Sequence, residues 1–75
     1  MKKSSVKDAL HRSGFVYTDL ESGARISASG PEVPGPVGQK TIVCMRDGGE
    51  TVHRSRHASN AAAARRYVQL VERYG

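Results

Sequence analysis

Lys40-Thr-Ile-Val-Cys-Met-Arg46, Asp47-Gly-Gly49 and Glu50-Thr-Val-His-Arg-Ser-Arg56 run into Ser59-Asn-Ala-Ala-Ala-Ala64, and this stretch decides the fold. Its first leg is an apolar run ending at a polar residue and a pair of glycines, the pattern of a strand entering a tight turn. The return leg carries one apolar residue, Val52. Ser59 and Asn60 are N-cap residue types, and the alanines after them favour helix and permit close approach to a sheet. From Ala61 to about Tyr74, the residues Ala64, Tyr67, Val68, Val71 and Tyr74 recur on one side, flanked by Ala61, Ala63 and Leu70. Arg65, Arg66, Gln69, Glu72 and Arg73 fall on the other side. The stretch therefore reads as a hairpin feeding an amphipathic helix.

The hairpin contains a conflict. Ile42, Val43, Cys44 and Met45 are apolar on both faces, which suits a strand central in a sheet or covered on both sides. If Val52 faces the helices, Arg54 and Arg56 share its side. If Thr51, His53 and Ser55 face them, the helices cover a polar strip. A strand end or a bulge near Arg54 would resolve this, freeing residues 54–58 as a basic arm or loop.

Upstream, residues 4–13 read as a short helix. Ser4 or Ser5 can cap it, Asp8 complements the helix dipole, and Val6, Ala9 and Leu10 form one apolar stripe. His11 and Arg12 suit its C-terminal end, and Gly14 suits the position after it. Phe15–Asp19 reads as a strand, Glu21-Ser-Gly23 as a turn, and Ala24–Ala28 as the returning strand with Ala24, Ile26 and Ala28 on its covered face. Residues 30–38 hold three prolines and three glycines, which forbid helix and ladder alike. They form a plain connector or a binding loop projecting from a rigid sheet. Gly35-Pro-Val-Gly-Gln-Lys-Thr41 resembles a phosphate-binding loop only superficially, because the glycine spacing fails and a strand follows instead of a helix. The elements together predict one α+β domain over residues 1–75. An antiparallel sheet of three or four strands carries an N-terminal and a C-terminal helix packed on one face.

The chain has 75 residues and a formal charge of +5, so its core is thin and its natural partners are polyanions or acidic surfaces. Its one cysteine, Cys44, lies in an apolar run and excludes an internal disulfide, which fits a reducing cytoplasm. No signal-peptide pattern or membrane-length apolar run is present. Charge is uneven along the chain: residues 1–14 carry +3, residues 15–38 carry −2 and residues 39–75 carry +4. If both helices share one sheet face, Lys2, Lys3, Lys7, Arg54, Arg56, Arg65 and Arg66 could form one electropositive margin for phosphate contacts. Aromatic residues are few, with no tryptophan and a single phenylalanine, which limits base stacking.

Catalytic and metal chemistry find little support. His53 and His57 with Cys44 lack the four converging ligands of a zinc site, and strand residues four apart are too distant to share an ion. No carboxylate or nucleophile stands at a motif spacing beside the histidines. No catalytic residue, metal or cofactor is therefore expected.

The order helix, hairpin, hairpin, helix resembles several small families. Ser59-Asn-Ala-Ala-Ala-Ala64 looks like the start of the last helix of double-stranded-RNA-binding domains, although the lysine cluster expected there is absent. Arg46-Asp-Gly-Gly-Glu-Thr-Val-His-Arg-Ser-Arg-His-Ala-Ser59 is similar to the strand, turn, strand and cap of phage-integrase arm-binding domains. The Arg46-Asp-Gly turn and the Ala61–Ala64 helix start resemble small phage-encoded anti-CRISPR proteins in size and style. Ser5-Val-Lys-Asp-Ala-Leu-His-Arg-Ser-Gly-Phe15 resembles the opening of HicA-type toxins, whose strand histidine has no counterpart in the first hairpin.

The charge at both ends of the chain points to a non-enzymatic basic protein binding nucleic acid or a nucleoprotein complex through an electropositive surface. One alternative is a phage or mobile-element inhibitor of a host defence complex; another is a HicA-like ribonuclease toxin using His53 or His57. The expected partner is nucleic acid or an acidic protein or ribonucleoprotein surface, with no membrane involved. The uncovered sheet face could bind that partner or join two copies in a homodimer, and the sequence leaves both open.

Overall fold

The computed structural model describes residues 2–30 and 40–75. Most of the Pro/Gly connector, and most of the segment that mimics a phosphate loop, lie outside the described residues. The element order is α1 (Lys3–Ser13), β1 (Phe15–Asp19), β2 (Arg25–Ser29), β3 (Lys40–Met45), β4 (Thr51–His57) and α2 (Asn60–Tyr74). The four strands form one antiparallel sheet in the order β1-β2-β3-β4. Each strand pairs with its sequence neighbour, and both helices pack on the same face, in the α+β arrangement the periodicities predict.

The core explains why. Alternation puts Ile26 and Ala28 of β2 and Ile42 and Cys44 of β3 on the covered face. Helix α1 adds Val6 and Leu10, and α2 adds Ala63, Ala64, Tyr67 and Leu70. Three of these ten residues are alanines, so α2 lies close to the sheet but the apolar volume is small. Burial of a side chain such as Leu10 contributes about 1.5–3 kcal/mol. The centre of the α2 stripe is Ala63, Ala64, Tyr67 and Leu70, whereas Ala61 is exposed. Ala63 and Leu70, placed by periodicity at the flank, are inside because α2 meets both α1 and the sheet.

Helix α1 starts at Lys3, with Lys2 as its N-cap and no side-chain cap bond, so neither Ser4 nor Ser5 caps it. Both serines are already inside the helix. Its end is as expected: Gly14 donates its backbone N–H to Leu10 O at 2.8 Å. Ser59 caps α2, its hydroxyl accepting from the Ala62 N–H at 3.1 Å.

The conflict in the second hairpin is resolved by a bulge, which lies nearer the turn than the pattern around Arg54 suggests. Cys44 pairs with His53 while Met45 pairs with Thr51, leaving Val52 as the extra residue. Val52 thereby packs against the core, and His53, Ser55 and His57 still follow it on the helix side. Arg54 and Arg56 turn to the open face. Strand β4 continues to His57, so residues 54–57 are held in the ladder and form no free arm. The turn before it needs Gly48 and Gly49, whose φ values of 95° and 90° are costly for any residue with a Cβ.

Candidate nucleic-acid interface

Strand β4 is an edge strand, and it divides two sets of polar side chains between the faces of the sheet. On the helix side, His53 Nε2 lies 3.0 Å from Ser55 Oγ, which lies 2.8 Å from His57 Nε2. One hydroxyl thus joins two imidazoles, and the polar strip under the helices satisfies itself. His57 then opens with Ala62, Arg65, Arg66 and Gln69 onto a shallow groove of about 220 Å³. Burial first, then the positive charge of Arg66 and of His53, lowers the His57 pKa below its ordinary value.

That shift has a measurable consequence. The groups facing His57 are Lys40 across the ladder, His53 on its own strand, and Arg65 and Arg66 on α2. All are basic side chains, and no carboxylate is among them. The folded chain resists protonation of His57, whereas the unfolded chain accepts it near the ordinary histidine value of about 6.5. Stability is therefore greatest above that pH and is lost as pH falls through the depressed folded value. Urea midpoints measured between about pH 7.5 and about pH 5 should fall, and His57→Gln should flatten the decline. An unchanged decline in that variant would place its source elsewhere.

The open face is ordered by register. Tyr17, Ser27, Val43 and Arg54 form one row across the four strands, and Phe15, Ser29, Thr41 and Arg56 form the next. Phe15 is 49% exposed and Tyr17 55%. Their rings lie 5.9 Å apart, and the Arg25 guanidinium sits 5.0 Å from the Tyr17 ring centre. Arg25 is itself fixed by Asp19, Nε to Oδ1 at 2.5 Å and Nη2 to Oδ2 at 3.2 Å. The hydrogen bond and charge of Arg25 hold the Asp19 carboxyl below its usual pKa.

Asp19–Arg25 is the one ion pair among the described residues. Arg54, Arg56, Arg65 and Arg66 therefore have no carboxylate partner among them. The first two lie on the open face of β4 and the last two on α2 beside His57, so all four straddle one edge of the molecule. Lys2, Lys3 and Lys7 are exposed on α1, which packs against β1 and α2. The seven basic residues that the sequence singles out thus divide into a group of four at the β4 edge and a group of three on the other helix.

No protein-family model, curated protein or solved structure matches the chain.

Its chemistry rests on the geometry alone. Among the described residues no three of His, Cys, Asp or Glu converge as metal ligands, and no helix is long and apolar enough to cross a membrane. Cys44 is buried, and burial raises its thiol pKa, which disfavours the reactive thiolate. A larger groove of about 420 Å³ opens at the other end of the sheet, but there Asp47 stands beside Arg46 and Arg73. Its mixed charge suits a polyanion less well than the β4 edge does.

Two features of the structure stand outside what composition suggests. Aromatic residues are few, yet the two-residue spacing of Phe15 and Tyr17 puts both rings on one face of a strand, a signal the sequence already holds. Lys40, by type an ordinary strand opener, is fully buried, and its Nζ has no hydrogen-bond partner among the described residues. Its side chain lies against Gly30, where an added Cβ would collide with Lys40 Cδ and stand 2.7 Å from Nζ. Any larger residue at that position must displace the lysine side chain.

Proposed function

We propose that this domain binds nucleic acid through phosphate contacts at the β4 edge and acts by binding, without a catalytic step. The supporting observation is that Arg54, Arg56, Arg65 and Arg66 gather there with no carboxylate among the described residues to neutralise them. Guanidinium groups without internal partners are free to take phosphate oxygens, bidentately where geometry allows. The N-terminal turn of α2, at Ala62 in the groove wall, adds a favourable dipole end. Charged side chains on an edge strand also prevent edge-to-edge pairing. That role accounts for Arg54 and Arg56 but not for Arg65 and Arg66 on the helix.

Titration of labelled duplex DNA, duplex RNA and single strands at low salt tests the proposal. Affinity should fall linearly in log–log form as salt rises. Replacing all four arginines with glutamine should lower the steepness by about one for each phosphate no longer held. Replacing Lys2, Lys3 and Lys7 together should have the smaller effect. Absence of binding to every probe at low salt would end the proposal.

A further inference from the structure

We infer that the open sheet face is a stacking platform for single-stranded nucleic acid, with bases laid on Phe15 and Tyr17 and phosphates held by Arg54 and Arg56. The inference rests on the phosphate-binding reading above and adds the strandedness of the ligand. Two large aromatic side chains stand half-exposed on one strand of a small domain, with no covering element among the described residues. Their burial would be favourable, and a base supplies a flat partner for a ring.

The arrangement across the sheet fits this ligand. Both rings are on β1, and Arg54 and Arg56 are on β4, three interstrand spacings away, or about 14 Å. Between them the two rows hold Ser27, Ser29, Thr41 and Val43. This floor is of small side chains, mostly hydroxylic, which leaves room for a sugar–phosphate chain and offers hydrogen bonds to it. Tyr17 is braced in advance, because Arg25 lies against its ring and Asp19 locks Arg25 in place. Bracing reduces the freedom lost when a base docks.

Charge selects this occupant over a second copy of the chain. Asp19 is already committed to Arg25, so the two rows carry positive charge with no free carboxylate to meet the arginines of a twin. A duplex is also a poor match, because its bases are stacked on one another and cannot reach rings on a sheet.

The intact protein should bind single-stranded RNA or DNA more tightly than a duplex of the same sequence. Phe15→Leu with Tyr17→Leu keeps both positions apolar and strand-compatible. It should weaken single-strand binding about tenfold or more while leaving duplex binding nearly unchanged. Tyr17→Trp gives an independent reading: it should retain affinity, and its fluorescence should be quenched by single strands and not by duplex. RNA and DNA arms distinguish the two sources of single strand.

Duplex preference, or single-strand affinity untouched by the double substitution, would overturn the platform and leave the phosphate-binding reading standing. A dimer that dissociates on the double substitution, with nucleic-acid affinity unchanged, would also overturn it. Failure of the unaltered protein to bind any nucleic acid removes both readings together.

Discussion

Tyr67→Ala is expected to leave the domain largely unfolded at 25 °C. Tyr67 is fully buried between α2 and the sheet. Its hydroxyl donates to Ile26 O at 3.2 Å and lies 2.6 Å from Thr18 Oγ1, tying α2 to both β1 and β2. Truncating a buried aromatic to alanine costs about 3–5 kcal/mol. A chain of this length rarely has more than about 3–5 kcal/mol in total. The loss therefore consumes the whole margin, where in a larger domain it would only lower the melting point. Tyr67→Phe separates packing from polarity, since it keeps the ring and should cost about 1–2 kcal/mol. Far-UV circular dichroism across a urea series measures both. A cooperative, native-like transition in the alanine variant would mean that the sheet does not depend on this anchor.

Lys40→Met should act in the opposite direction and stabilise the fold by about 1–3 kcal/mol. The stem of Lys40 is packed against Gly30, but its ammonium is fully enclosed with no hydrogen-bond partner among the described residues. Removing an uncompensated charge from such a site relieves its desolvation cost, and methionine retains most of the length and flexibility of the stem. For a domain of this size, 1 kcal/mol corresponds to about 4–8 °C in Tm. Thermal melts of the two proteins near neutral pH give the answer. A lower Tm for the methionine variant would show that the ammonium is stabilised by its surroundings after all.

Much of the architecture was legible because it is periodic. The α2 stripe, the alternation of Ala24, Ile26 and Ala28, and the apolar run of β3 each point to one element and one buried side. The Ser59 cap was readable because side-chain type and position coincide there. What periodicity cannot supply is placement across elements. The pattern around Val52 showed that the alternation must break, yet a bulge at Val52 and one at Arg54 satisfy it equally until the pairing with Cys44 and Met45 is known. The sequence marked Lys40 only as the start of a strand, and nothing in the pattern of β3 singled it out for burial. Its burial depends on Gly30, ten residues earlier and brought beside it by the β2–β3 pairing, and so on register between strands. Of the basic residues, those of α2 were sorted to its exposed side by periodicity, whereas Arg54 and Arg56 were expected in a free arm and lie in the β4 ladder instead. Their division between the β4 edge and α1 follows from which strand each helix covers, and no single helix encodes that.

The ladder of neighbours, β1 to β2 to β3 to β4, has a consequence for how the chain finds its form. Every strand pairing joins segments adjacent in the sequence, so the sheet can grow hairpin by hairpin with little loop-closure entropy to overcome. The contacts that span the chain, Thr18 with Tyr67 and Ser22 with the Tyr74 carbonyl, bridge 49 and 52 residues. Assembly is therefore local until the last helix arrives, and its arrival joins the two ends of the chain into one cooperative unit.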